Sequence, residues 1–243
     1  IVVLCAIKSQ KDCIDMIIQE KIDIHLNNNG KQINELKNAI NNLSLKWDMP
    51  EYSWDINGTT VSRYMPWKFN EHKYNTALSP DRFHIIQQFA KIAPINYGIA
   101  VECGVYKGGV SRLLKDYGYE VYCFDTFEGI KGASSNDIHQ NGEYNGGDVS
   151  EYLDGCKIIK GELPISFFVD RNISFAHIDL DVYLPTIETL KLVYMNMCKN
   201  GIIIIDDYGM ASCPGVKKAV DDFMEHNIVK SVYLPTTQMV IFK

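Results

Sequence analysis

Between Ile173 and Gly209 the spacing of apolar positions changes twice. Ile173 to Ile178 is an apolar run that delivers Asp179 and Asp181. Leu184-Pro185-Thr186 follows, and Ile187, Leu190, Val193 and Met197 then recur at helical spacing. Asn200-Gly201 punctuates, and Ile202 to Ile205 is a β-branched run ending on Asp206-Asp207. Strand, helix, strand is the economical reading. Such a unit is normally a right-handed crossover, so its two strands run parallel and their C-terminal ends meet on one edge. The pattern therefore predicts that Asp179, Asp206 and Asp207 converge in space.

The same alternation runs through the rest of the chain from Ser79 onward. Ser79-Pro80-Asp81 is a helix start, with Phe83, Ile86, Phe89 and Ala90 on one face and Pro94 ending it. Ile99 to Gly104 is a strand running into a glycine turn, Val105 to Gly109, after which Val110, Leu113 and Leu114 begin a helix. Tyr119 to Phe124 is a second strand that closes on Asp125. Glu128 to Gly147 is polar, glycine-rich and without periodicity, and a loop of that length in a compact domain is usually functional or disordered. Lys157 to Gly161 makes a third strand, and Ile173 to Asp179 and Ile202 to Asp206 the fourth and fifth. Pro214 opens a helix with Val216, Ala219, Val220 and Phe223 inward. Ile228 to Leu234 and Gln238 to Phe242 form an antiparallel pair. The expected fold is α/β: a Rossmann-like, mostly parallel sheet with a C-terminal antiparallel hairpin and helices on both faces.

Residues 1–75 differ and are expected to form an N-terminal extension, with residues 76–243 as the α/β domain. In the extension, Ile1 to Ile7 reads as a strand and Lys11 to Ile24 as a helix. Ile33, Leu36, Ile40 and Leu43 give a second helix. From Trp47 to Tyr74 aromatic residues crowd together with irregular spacing, broken by Pro50, Gly58 and Pro66. A loop-rich layer over a core is the plain reading. A lid or substrate wall is the sharper one, since flat aromatic faces suit sugars and rings.

With 46% hydrophobic and 22% charged residues among 243, the chain is of ordinary globular composition and long enough for a real core. Its net charge of −6, without any basic stripe, disfavours a nucleic-acid partner. Seven scattered cysteines with no Cys-x-x-Cys pair point to reduced thiols in a cytoplasmic protein rather than to disulfides or zinc. The longest apolar run, Ile1 to Ile7, is too short to span a bilayer. The chain does not begin with methionine, which suggests one domain of a longer polypeptide.

Two sites of chemistry emerge. Three carboxylates at one sheet edge repel unless a cation sits between them, and oxygen-only ligands suit Mg²⁺. A single acid after a strand would more simply cap a helix or face water; three that converge favour the metal. On the other side, Glu102-Cys103-Gly104 runs from a strand into a helix, where glycine lets the backbone approach a ligand. The turn lacks the third glycine of a dinucleotide site and the Gly-Lys-Ser/Thr of a phosphate loop. Glu102 would repel a pyrophosphate but attract an ammonium group, and Asp125 stands where an acid grips ribose hydroxyls. Ribose and an α-amino group without phosphates describe S-adenosylmethionine. Without those neighbours, Gly104 would be only a tight turn.

Three segments resemble the macrocin O-methyltransferase family: Val101 to Gly109, Phe124 to Gly129, and Asp179-Leu180-Asp181-Val182-Tyr183 with Pro185-Thr186, continuing through Asp206-Asp207-Tyr208-Gly209 and Cys213-Pro214-Gly215. The resemblance covers roughly residues 80–243. It implies a class I methyltransferase fold and metal-dependent methylation of sugar hydroxyls on macrolides and related glycosylated metabolites. It further implies Mg²⁺ held by Asp179, Asp206 and Asp207, and a general base at Asp179. Asp181 would support the site without binding metal, and His139 falls near the family's substrate-side histidine. The cofactor contacts expected along the two motifs are Glu102, Gly104, Tyr106, Lys107, Ser111, Asp125 and Thr126. The acceptor would be a sugar-containing small molecule or glycan, with a deoxysugar favoured. A homo-oligomer and a place within a larger glycan-modifying protein are further expectations. Rival readings are a catechol-type O-methyltransferase, a dehydrogenase on a similar sheet, and a non-catalytic glycan- or nucleotide-binding module.

Overall fold

The computed structural model describes residues 51–56, 59–64, 74–135 and 137–243, and the chain divides into two units, 1–68 and 69–243. In the first unit, β1 (Glu51–Ile56) pairs antiparallel with β2 (Thr59–Tyr64) in register from Glu51↔Tyr64 to Ile56↔Thr59. This corrects the irregular reading of the aromatic stretch. Tyr52, Trp54 and Ile56 alternate with Glu51, Ser53 and Asp55, a period-two pattern that the crowding of aromatic residues obscured. The strand and helices expected before residue 50 lie outside the described residues.

The second unit is a seven-stranded sheet with helices on both faces. Its elements are α1 (Pro80–Ile92), β3 (Ile99–Cys103), α2 (Gly109–Asp116), β4 (Val121–Asp125), β5 (Lys157–Lys160) and β6 (Ile173–Ile178). There follow α3 (Tyr183–Asn196), β7 (Met197–Ile205), α4 (Pro214–His226), β8 (Lys230–Tyr233) and β9 (Met239–Phe242). The order across the sheet is β5-β4-β3-β6-β7-β9-β8, parallel from β5 to β7 and antiparallel at β7–β9 and β9–β8. The central strands are buried on both faces, which explains why they read as continuous apolar runs rather than as alternating ones. Val101, Ala176 and Ile203 pack with Leu190, Val193, Val216 and Phe223 of α3 and α4. Ala100, Phe175 and Ile204 pack with Ile86, Leu113 and Leu114 of α1 and α2.

Two local features depart from expectation. Asn200-Gly201 does not precede β7 but lies within it. The strand starts at Met197, pairs there with Ile173, and slips register so that Phe175 pairs with Ile202. Asn200 takes φ 64°, as a bulged residue can. At the start of α1, the Ser79 hydroxyl donates to Asp81 Oδ1 at 2.5 Å and makes no cap to the helix backbone.

The order of strands reverses between β3 and β6, and in open α/β sheets the crevice outside the strand C-termini at that point is where ligands bind. The sheet ladder itself carries the acids to this edge. Asp179 N donates to Cys103 O at 2.8 Å, and Asp206 N donates to Ile178 O at 2.9 Å. Gly104 closes the gap at the end of β3 with φ +89°, and a Cβ there would lie 1.7 Å from Asp179 O. Gly104→Ala must therefore both strain its own backbone and push β3 from β6. We expect it to cost about 3 kcal/mol of unfolding free energy, read as a lowered denaturant midpoint. A midpoint equal to that of the parent would contradict this packing.

Candidate active site

A cleft of about 250 Å³ opens at the reversal point. On one side of it stand four aspartates. Asp179 follows β6, and Asp181 turns back two residues later at φ 61°; Asp206 and Asp207 follow β7, the latter at φ 55°. Left-handed backbone at a non-glycine residue costs on the order of 1 kcal/mol or more and is retained where the surroundings enforce it. Carboxylate oxygens of Asp179, Asp181 and Asp207 lie within 4.8 Å of one another. Asp206 falls instead into a second group of the same span, with His177 and Asp179.

Arg82 of α1 answers part of this charge. Its Nη1 donates to Asp206 Oδ2 at 3.0 Å and its Nη2 to Asp207 Oδ1 at 2.5 Å. The same guanidinium donates to Thr236 O at 3.1 Å and Thr237 Oγ1 at 2.7 Å, in the turn between β8 and β9. Nothing in the sequence pattern marked Arg82, because its partners lie 124 and 125 positions away and such a pairing leaves no local signal. His177 was also missed. A histidine near the C-terminal end of a fully buried strand, two residues before an acid, was the available sign.

One guanidinium does not neutralise four carboxylates. Burial first, then the charges of Asp206, Asp181 and Asp207, push Asp179 well above the ordinary carboxylate range, and Arg82 only partly opposes them. Burial and Asp207 push Asp181 up to about 7. Burial raises Asp206 to about 6, with His177 and Arg82 pulling it down and Asp207 pushing it up. Asp206 Oδ1 is buried and has no hydrogen-bond partner. Crowded, dehydrated acids with a spare buried oxygen either keep protons or take a cation, and an all-oxygen set of this kind fits a hard divalent ion.

On the other side of the cleft the backbone is already satisfied. Asp125 Oδ2 accepts from Val105 N at 2.6 Å and Tyr106 N at 2.9 Å, and Oδ1 accepts from Phe127 N at 2.7 Å. The carboxylate thus fixes the glycine turn. Glu102 is fully buried, accepts a hydrogen bond from the Ser111 hydroxyl, and is raised above its ordinary range by that burial. Of the expected cofactor contacts, Glu102, Gly104, Tyr106, Asp125 and Thr126 line the cleft. Ser111 sits buried behind Glu102, and Lys107 is exposed beside the Tyr106 ring rather than in the cleft.

The long loop is folded over this site without helix or strand. Ile130 N donates to Glu143 O and Gly142 N to Ile130 O, both at 2.8 Å. Gly146 packs so closely that a Cβ would lie 2.1 Å from Tyr106 O. Tyr144 meets Tyr106 edge-on, with ring centroids 6.3 Å apart, and lies 5.5 Å from the His139 ring. His139 itself reaches the acids, within 4.8 Å of Asp181 and Cys213, while its Nδ1 lies 2.7 Å from Glu143 Oε2.

Comparison with known proteins agrees with the resemblance read from the sequence. Residues 160–234 match the family model of macrocin-O-methyltransferase (TylF). The O-methyltransferase NovP aligns in structure with a TM-score of 0.59 at 21% identity, over 69% of this chain and 81% of that one. CalS11, a calicheamicin methyltransferase, aligns with a TM-score of 0.52 at 17% identity, over 66% of this chain and 77% of that one. No curated protein matches. The fold is that of the Rossmann-like methyltransferases, and family match and fold together support an S-adenosylmethionine-dependent O-methyltransferase. No helix among the described residues is long and apolar enough to cross a membrane.

The acid cluster gives the protein a signed response to pH. The folded state holds a proton on Asp181 up to about 7, whereas the unfolded chain releases it near the ordinary 3.8. Stability present at low pH is therefore lost as the pH rises through that window. In EDTA the melting temperature should fall between about pH 5 and about pH 7.5, with a shallower fall in Asp181→Asn. Identical slopes for parent and variant would count against this environment for Asp181.

Proposed function

We propose that this chain transfers a methyl group from S-adenosylmethionine to a sugar hydroxyl, on a glycosylated small molecule or glycan, with Mg²⁺ in the acid cluster. What supports the reading most directly is the meeting of four aspartates and a glycine turn in one cleft, at the position where this fold binds ligands. The family match over residues 160–234, which contain all four aspartates, supports the acceptor class. A deoxysugar is the favoured acceptor, and a cytoplasmic setting fits the five free cysteines among the described residues.

Asp179, Asp206 and Asp207 would hold the metal, with Asp181 supporting the site from within 4.8 Å of Asp179 and Asp207, and Arg82 tied to Asp206 and Asp207. Mg²⁺ there would orient a pair of vicinal hydroxyls and lower the pKa of one. S-adenosylmethionine supplies an electrophilic methyl on a sulfonium, which passes in line to the acceptor oxygen as the C–S bond breaks. The rest falls to the chain. Asp125 holds the turn at Val105 and Tyr106 against which the nucleoside would lie, and the Glu102 carboxyl lining the cleft would accept from the ammonium end. The acceptor proton goes to Asp179 or to His139. With His139 Nδ1 engaged by Glu143, Nε2 is the ring nitrogen left to accept it. The loop from Gly129 to Gly147, anchored on Tyr106 through Gly146, would keep water from the sulfonium.

The test is radiolabelled methyl transfer from S-adenosylmethionine to a panel of deoxysugar nucleotides and glycosides, beside titration of S-adenosylhomocysteine. Asp207→Ala should abolish transfer while the affinity for S-adenosylhomocysteine changes less than about threefold. EDTA should stop turnover, and turnover that persists in EDTA would remove the metal from the mechanism. His139→Ala should lower kcat by about 10² or more if it is the base, and by little if Asp179 is.

A further inference from the structure

Behind the glycine-turn side of the cleft, one face of the sheet carries two thiols that the proposed reaction does not use. Glu102 of β3 pairs with Cys123 of β4, and Cys123 with Ile158 of β5, so these three side chains share a face. Cys156 lies two residues before Ile158, in the turn that enters the edge strand β5, and belongs to the same face. It packs against the buried cluster that contains Cys123, and the two thiols are hydrogen-bonded to each other. Cys123 is fully buried, whereas Cys156 is partly exposed. A short relay leads from this pair to the cleft. Cys123 Sγ lies 3.0 Å from Ser111 Oγ, and the Ser111 hydroxyl donates to Glu102 Oε2, whose carboxyl lines the cleft.

We propose that Cys156 and Cys123 are a peroxide-sensitive thiol pair, whose disulfide draws Cys123 away from Ser111 and loosens Glu102 at the cofactor; the effect on the cofactor rests on the methyltransferase reading of the cleft. Among the five described cysteines, Cys156 alone is shifted toward its thiolate. The hydrogen bond from Cys123 does most of this, and Lys115 and Arg112 of α2 add to it against the opposing effect of burial. Burial pushes Cys103, Cys198 and Cys213 the other way, and the bond to Cys156 together with burial keeps Cys123 protonated. An accessible thiolate beside a buried thiol is the pairing of a reactive with a resolving cysteine. The Cys156 sulfur attacks one oxygen of hydrogen peroxide, the O–O bond breaks, and hydroxide leaves a sulfenic acid behind. The Cys123 sulfur then attacks the Cys156 sulfur and the S–O bond breaks. The departing hydroxyl takes the Cys123 proton as water, so two thiols and one peroxide give one disulfide and two waters. Cys156 follows Gly155, at φ +77°, in the turn before an edge strand, where the backbone is free to close the sulfurs to about 2.05 Å.

The experiment uses the whole chain, reduced and then treated with hydrogen peroxide. Peptide mass spectrometry locates disulfides, and calorimetry measures the affinity for S-adenosylhomocysteine before and after. The expected result is a peptide linking Cys123 to Cys156, reversed by dithiothreitol, and an affinity about tenfold weaker in the oxidised form. Cys156→Ser should keep the reduced parent's affinity through the same treatment, and Cys123→Ala should accumulate a sulfenic acid at Cys156 that dimedone traps. If Cys123→Ala fails to fold, Cys123→Ser and the parent's peptide map decide. An oxidised parent without the link between Cys123 and Cys156 overturns the proposal, as does a linked protein that binds S-adenosylhomocysteine as the reduced one does. An equal loss of affinity in peroxide-treated Cys156→Ser would also overturn it, because oxidation elsewhere would then be the cause. Failure of the methyltransferase reading would appear separately, as a reduced parent that binds no S-adenosylhomocysteine, and the peptide map would then decide the thiol pair alone.

Discussion

The double ion pair of Arg82 with Asp206 and Asp207 holds together what the sheet alone would drive apart. Parallel strands deliver like charges to one edge because their C-termini all point the same way. Four aspartates meet there, two after β6 and two after β7. Arg82 reaches them from α1, outside the sheet, and also binds Thr236 O and Thr237 Oγ1 in the hairpin turn. One side chain thus joins the first helix of the domain, the end of a central strand and the last turn of the chain. At such buried positions desolvation offsets much of the attraction, but removing one partner is costly because it strands the charge of the other.

The glycine turn is held tight by the sheet itself. β3 and β6 approach until there is no space for a side chain at Gly104, and the approach puts Asp179 directly across from the turn. The glycine turn and the acids therefore meet with only the backbone of Gly104 between them. The folded loop from Gly129 to Gly147 completes the enclosure, with His139 and Tyr144 brought toward Asp181.

Much of this was legible in the chain. The change from strand to helix spacing and back after Ile173 was enough to place Asp179, Asp206 and Asp207 on one edge, because the handedness of crossover connections is general. The glycine turn and Asp125 followed in the same way. What could not be read depended on contacts without a local pattern. Arg82 looks like any polar residue in the first turn of an amphipathic helix, and only its distant partners give it a role. The contacts among the acids were hidden for a related reason. Sequence spacing placed Asp206 beside Asp207, and Arg82 does bind both; what it could not give is the left-handed turn at Asp207 and the closeness of that carboxylate to Asp181. In the aromatic stretch, a two-residue period within six positions was outweighed by prolines and glycine on either side.

The two walls of the cleft differ in how completely their polar groups are satisfied, and the difference carries the functional logic. Along the glycine turn both oxygens of Asp125 are taken by backbone N–H groups, so this wall has its shape before any ligand arrives. Preorganised surfaces lose little entropy on binding, which suits a nucleoside held in a fixed pose. Along the acid wall, Asp206 Oδ1 and both nitrogens of His177 are buried without partners, and burial holds Asp179, Asp181 and Asp206 toward their protonated forms. The unpaired oxygen and the crowded carboxyls leave this wall able to take added positive charge. A cation bound there, as proposed above, would displace protons and leave the carboxylates as fixed negative ligands.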